Sequence, residues 1–371
     1  MNFTFQLVLT EECNLKCKYC YIDQKPRIMS IETFDNHYNM LDQMLNKYNS
    51  TSFQAALFGG EPLLNWKLIE HMVPILKKDK RCNVIIAMTN GIPLKDPYKR
   101  DFIEKNGVAI SLSFDGLWNK ENRQLHNGKS SLEEYTTEPL KSYFSNKGGC
   151  KVMVAPNNVS TMTENFKWFV EEYGINKPDY SLVRDDIWEE NDIKNYDKEC
   201  KRLADQVIEY YNKGVDANVG LFQLYLLDLV FGKIYQKRPF GCFAGCHGGA
   251  FMPDGLIYPC ARFGSNKKLV LGDSNKKEIY DTVELMNIQQ IINPSSYPEC
   301  NDCELYNYCN AGCTYNQINS HQKDNLLYSK PLDSICRLLK ISYRETMRIS
   351  HELKYNKIFQ ESVKNSIRNV G

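Results

Sequence analysis

Three cysteines fall within eight residues near the start of the chain: Cys13, Cys17 and Cys20, in the stretch ECNLKCKYCY with C-x3-C-x2-C spacing. Their number narrows the chemistry. A disulfide takes two thiols, and a closed tetrahedral zinc site takes four ligands. A cubane [4Fe–4S] cluster holds four irons and usually takes four thiolates, so three leave one iron open. An open coordination position is the mark of a catalytic metal site. The spacing alone also leaves room for a zinc knuckle that borrows a distant fourth ligand.

A second group lies far downstream: Cys242, Cys246, Cys260, Cys300, Cys303, Cys309, Cys313 and Cys336. A double zinc ribbon is the competing reading of its C-x2-C pair. The remaining cysteines, Cys82, Cys150 and Cys200, stand alone and read as small buried hydrophobes. The N-terminus has no basic region and no small-residue cleavage site, so a secretory signal is not expected. In a reducing compartment, clustered cysteines point to metal or catalysis rather than disulfides.

The elements that must position these thiols alternate. Strands are predicted at 3–10, 52–58, 83–89, 108–114, 151–155 and 179–184. Helices are predicted from an N-cap at Ser30 to about Tyr48, over Trp66–Lys77, near Tyr98–Lys105, after a capping box Thr161-x-x-Glu164, and from about Tyr196 to Tyr211. Six βα units in series imply a parallel sheet, either doubly wound or curled towards a barrel. Cys13, Gly59-Gly60-Glu61, Asn90-Gly91 and Asp115 all fall at C-terminal strand ends, the edge where α/β proteins build their sites.

Composition excludes other classes. The net charge is +1 with 25% charged residues, which predicts no bulk attraction to nucleic acid or an anionic membrane. The most apolar run, Leu221–Phe231, contains Asp228 and is shorter than the ~20 residues a bilayer span needs. A soluble, cytoplasmic protein of 371 residues is expected, long for one domain and suited to a barrel plus a smaller module.

Read together, these motifs resemble the radical S-adenosylmethionine (SAM) enzymes, whose signature is C-x3-C-x-aromatic-C after the first strand, here closing on Tyr19 and Cys20. Gly59-Gly60-Glu61-Pro62, Thr89-Asn90-Gly91 and SLSFDG (Ser111–Gly116) extend the resemblance over roughly the first 235 residues. It implies an α/β fold, a partial (β/α)6 TIM-like barrel over 1–235. It also implies that SAM chelates the open iron and is cleaved to a 5′-deoxyadenosyl radical that takes hydrogen from a substrate. Carried over, Gly59, Gly60 and Glu61 would help hold the methionine amine and Tyr19 would pack near the adenine. Ser111, Ser113 and Asp115 would meet the ribose or methionine, and Arg123 is a candidate for the carboxylate.

The downstream pattern, Cys242, Gly255-x4-Cys260, then Cys300-x2-Cys303-x5-Cys309-x3-Cys313 and Cys336, resembles the SPASM domain. That resemblance implies a cysteine-rich module over 236–340 with two auxiliary [4Fe–4S] clusters, followed by a helical tail over 341–371. One cluster would take Cys242, Cys260 and Cys313, with Cys246 as a candidate fourth ligand. The other would take Cys300, Cys303, Cys309 and Cys336. Three clusters, SAM and an external donor of flavodoxin or ferredoxin type follow.

SPASM proteins mostly act on peptides or proteins, so the expected reaction is hydrogen abstraction from a peptide leading to a crosslink or related oxidation, as in maturation of ribosomally made peptides. Related sulfatase maturases place Asp after the cysteine of G-x4-C, where this chain has Ala261 and then Arg262. Formylglycine formation or small-molecule radical chemistry is the alternative, and a non-catalytic zinc-ribbon protein the alternative of another class. Because the clasp strand begins at Phe3, no N-terminal peptide-binding wing is expected, and a separate recognition protein would substitute. No residue identifies itself as the general base, although Asp254, Tyr258 and Arg262 lie near the first auxiliary set.

Overall fold

The computed structural model describes residues 2–145, 149–222, 226, 243–245, 247–264, 266–280, 297–306, 309, 313, 315–316 and 332–368. Cys242, Cys246 and the expected boundary at 235/236 lie outside the described residues. The strands are β1 (Asn2–Thr10), β2 (Leu15–Cys17), β3 (Ser52–Gly59), β4 (Cys82–Thr89), β5 (Ala109–Ser113), β6 (Arg123–Leu125), β7 (Cys150–Val154), β8 (Asp179–Leu182), β9 (Gly248–Phe251), β10 (Leu256–Tyr258), β11 (Gly272–Asp273) and β12 (Glu278–Ile279). Ten of them form one sheet in the order β12-β11-β10-β9-β1-β3-β4-β5-β7-β8.

Within this sheet the pairings of β1, β3, β4, β5, β7 and β8 are all parallel, and each new strand adds on the same side. That sequential order is the order of a βα barrel's strands and differs from a doubly wound sheet, where the direction of growth reverses. β9 pairs parallel with β1 on the other side, and β10 to β12 follow as an antiparallel meander. The C-terminal region therefore continues the same sheet.

The two faces of the sheet differ. Phe3, Phe5, Leu7, Phe53, Leu57, Ala87, Leu112 and Val152 are buried and share a core with Phe34, Leu45, Met72 and Leu76 of the helices. Side chains alternate along a strand, so the residues between them face the other way. There Ile86, Met88, Ser111, Ser113, Lys151, Met153 and Ser181 are only half-buried. Over β1 that second face is closed: Val8 packs with Ala250, Met252, Tyr258, Phe263 and Leu269 in a smaller core.

Local signals explain most helices. Ser30 caps the helix Ile31–Asn39 by accepting the Thr33 N–H at 3.0 Å, and a second helix, Leu41–Lys47, completes the run predicted to Tyr48. The capping box predicted at Thr161 does not form. The Thr161 hydroxyl donates to the Asn158 carbonyl and accepts the Trp118 indole N–H, so it is already engaged. The open Thr163 N–H is taken instead by Glu199, a buried carboxylate of the helix Glu190–Asn212, at 3.0 Å. That helix begins earlier than predicted, at a capping box of Glu189 and Asp192.

The C-terminal segment packs on this helix. Tyr196 and Ser342 share a hydrogen bond of 2.6 Å, and Glu345, 3% exposed, is neutralised by Arg344 and Arg348. One helix, Asp333–Glu352, runs through the expected boundary at 340/341 and carries Cys336 in its first turn. Among the described residues no helix is long and apolar enough to cross a membrane.

Candidate active site

The three clasp thiols sit on the turn that leaves β1. This turn is held by backbone contacts to the loop after β3: Gly60 N–H donates to Thr10 O and Glu61 N–H to Glu12 O, each at 2.8 Å. The approach is so close that a Cβ on Gly59 would lie 2.1 Å from Thr10 O, and one on Gly60 would lie 2.2 Å from Glu12 O. Gly59 also has φ +141°, a conformation side chains resist. The missing side chains therefore admit the clasp backbone itself.

Glu61 turns inward and is fully buried. Its carboxylate accepts from Thr89 Oγ1 at 2.6 Å, Asn90 N–H at 2.8 Å and Leu63 N–H at 3.0 Å. Burial pushes its pKa up to about 7, against the pull of those donors. The tie continues to the clasp: Asn90 Nδ2 donates to Asn14 Oδ1 at 2.7 Å and lies 4.0 Å from Cys13 Sγ. The sequence placed Asn90 at a C-terminal strand edge within the Thr89-Asn90-Gly91 motif, but not its tie to the clasp.

The other side of the clasp forms β2, which pairs antiparallel with β6 so that Cys17 faces Arg123. Lys18 N–H donates to Asn122 O at 2.9 Å, and His126 Nε2 donates to Cys13 O at 2.7 Å. Nothing in the sequence pattern marked β2, β6 or His126, because strands this short have too few residues to show alternation.

Arg123 and Asp115 form a buried ion pair, 6% and 0% exposed, with Nε 3.0 Å from Oδ2 and Nη2 3.2 Å from Oδ1. Asp115 also accepts the Met153 N–H at 2.9 Å and the Tyr19 hydroxyl. The Tyr19 ring lies under the guanidinium, 5.3 Å from centroid to Cζ. Tyr19, Asp115 and Arg123 are thus tied together beside the clasp, although Arg123 Nε, 3.0 Å from the carboxylate, makes no hydrogen bond of good geometry. Ser111 and Ser113 are different: they lie on the half-buried face with no hydrogen-bond partner for their hydroxyls among the described residues.

Burial pushes the Cys13 thiol up to about 12 and the Cys17 thiol up to about 11, the latter restrained by Arg123. Metal binding to such thiols must release protons. All three clasp cysteines are free thiols on one turn, and their number and type suit an iron–sulfur cluster with one open position, while among the described residues no three His, Cys, Asp or Glu side chains are gathered to hold a single metal ion.

Downstream, Cys300, Cys303, Cys309 and Cys336 lie within electrostatic reach of one another. Cys260 and Cys313 both border Tyr21, the residue after Cys20. Arg262 stacks on that tyrosine, Cζ 4.2 Å from the ring centroid, and is anchored by Asp185 at 2.7 Å. Of the other residues near this set, Asp254 pairs with Arg27 at 3.5 Å and Tyr258 is 2% exposed in the smaller core. Cys150 and Cys200 are buried as predicted, and Cys82 is half-buried against the main core.

The comparisons with known proteins agree with this geometry. Residues 7–154 match the family model described as Radical SAM superfamily. The radical SAM cyclopropyl synthase TigE of Paramaledivibacter caminithermalis is 23% identical over 83% of this chain and 67% of its own length. The antilisterial bacteriocin subtilosin biosynthesis protein AlbA of Bacillus subtilis is 24% identical over 91% of this chain and 74% of its own. The structure of native anSMEcpe with bound AdoMet and Cp18Cys peptide shares the fold, with TM-score 0.71, 22% identity and coverage of 97% and 100%.

Proposed function

We propose that the chain is a three-cluster radical SAM enzyme that abstracts hydrogen from a peptide and forms a crosslink or a related oxidised product. The observation that carries this reading is the trio of free thiols on one turn at the C-terminal end of β1, beside a sheet face that stays half open over β4 to β8. That open face fits the concave side of a partial barrel, and the region from β9 onward closes the face over β1 in the manner of a SPASM module.

Cys13, Cys17 and Cys20 would hold the SAM-binding cluster, which supplies the electron that cleaves SAM into the hydrogen-abstracting radical. The Gly59–Glu61 loop keeps the clasp turn in place, and Ser111 and Ser113 offer free hydroxyls toward SAM. Cys242, Cys246, Cys260 and Cys313 would hold one auxiliary cluster, and Cys300, Cys303, Cys309 and Cys336 the other. The name of one relative, a bacteriocin biosynthesis protein, supports a peptide substrate. An external one-electron donor and a separate peptide-recognition protein complete the proposal.

Ala261 offers no proton acceptor where a sulfatase maturase would have Asp, and its N–H is engaged by Gln6 Oε1 at 3.1 Å. The test is anaerobic reconstitution, metal counting, then dithionite and SAM. About twelve irons, four per cubane, together with 5′-deoxyadenosine are expected. A short peptide encoded beside the enzyme would then gain a crosslink. Formylglycine formed in a sulfatase-derived peptide would replace the crosslink reading. Zinc in place of iron without SAM cleavage would overturn the radical reading altogether.

A further inference from the structure

Reducing a cubane adds one electron, so a positive charge beside a ligand sulfur favours the reduced form, and hydrogen bonds to sulfur act in the same direction. Arg123 meets both conditions. Its Nη1 lies 4.0 Å from Cys17 Sγ, while Nε and Nη2 face Asp115. The ion pair therefore presents its positive end to the sulfur. The other donors near clasp thiols, the Leu15 N–H at 3.4 Å and Asn90 Nδ2 at 4.0 Å from Cys13 Sγ, carry no charge.

The orientation is built in. Asp115 is also held by the Met153 N–H and the Tyr19 hydroxyl, and its own N–H donates to Asn119 Oδ1 at 2.7 Å. Arg123 stands opposite Cys17 in the β2–β6 pairing, and its carbonyl accepts the Ser131 hydroxyl at 2.5 Å. A guanidinium this buried is little screened by water or salt.

We infer that Arg123, aimed by Asp115, is a positioning residue that raises the reduction potential of the clasp cluster through its charged contact with Cys17. This rests on the proposed function. The step concerned is the uptake of one electron from an external donor, in which no bond is made or broken.

The test is a potentiometric titration of the reconstituted full chain, followed by electron paramagnetic resonance, with dithionite as reductant and without SAM. The clasp signal is identified as the one missing in Cys17→Ala. Arg123→Gln is expected to shift the clasp potential downward. Asp115→Asn leaves the guanidinium charge uncompensated and is expected to shift it upward, and Arg123→Lys to recover part of the loss. A merely structural role would not produce shifts of opposite sign. Potentials that stay put, or that move in the same direction in both variants, would overturn the inference while the enzyme assignment stands. A wild-type chain that takes up no iron would overturn the assignment and the inference with it. If Arg123→Gln loses the cluster, the sign in Asp115→Asn decides.

Discussion

The two cysteine regions reach their geometry by different routes. The clasp takes its thiols from eight consecutive residues and then fixes them with partners from the loops after β3, β4 and β5 and from β6. The downstream set draws Cys260 from the loop after β10, Cys300 from the short helix Pro298–Asn301 and Cys336 from the helix Asp333–Glu352. A local turn can pre-shape a cluster site before the rest of the chain is in place. A dispersed set exists only once its carriers have docked, so its integrity depends on packing far from the sulfurs.

The sharpest way to break this comparison is Cys17→Ala. 5′-deoxyadenosine formation should be abolished and about four of twelve irons lost, with the downstream iron retained. Iron analysis and product chromatography check both. If the downstream iron disappears too, the regions are not independent.

Gly60→Ala comes next. The new methyl would meet Glu12 O at 2.2 Å, and backbone cannot yield cheaply. A destabilisation of about 3 kcal/mol by chemical denaturation is expected, with reduced iron uptake at the clasp.

Cys336→Ser should also remove about four irons, but SAM cleavage without peptide should persist within a few-fold, because the clasp keeps all its contacts. Loss of SAM cleavage would mean that the downstream set supports the clasp.

His37, on the helix Ile31–Asn39, bonds to the chain just after β9 and gives a smaller effect, confined to acid pH. Its Nε2 donates to Met252 O at 2.9 Å, while Nδ1 is buried without a partner. Burial lowers its pKa to about 4 from the ordinary 6.5. Between these values the unfolded chain binds the proton and the folded chain does not, so stability rises with pH there. Acidification from pH 6.5 to pH 4 should cost roughly 3 kcal/mol at most through this group. His37→Gln should flatten that part of the stability profile in denaturation series at fixed pH. Smallest of all, Arg337→Ala breaks an exposed pair with Glu190 and should leave the melting temperature unchanged.

Much of the scaffold was legible because hydrophobic alternation and turn residues are local signals. The six parallel strands and the Ser30 cap were read within a residue or two of their observed places. Glycine pairs were legible as close-approach positions, but what approaches, the backbone of Thr10 to Glu12, was not. Thr161 failed as a cap because its hydroxyl found partners distant in the chain, and Asp115 and Arg123 gave no sign that they would neutralise each other.

The sequence by itself determined the chemistry on offer: three thiols at a spacing that leaves one iron open, a second cysteine set, and βα units that carry the first thiols to a C-terminal strand edge. Spacing and periodicity are properties of neighbours along the chain, so they survive without the fold. Only the tertiary structure decided which charge sits against which sulfur, which sheet face stays open and how β9 joins β1. Those outcomes depend on burial and on partners far apart in sequence, where desolvation makes a buried charge accept only the arrangement that pairs it.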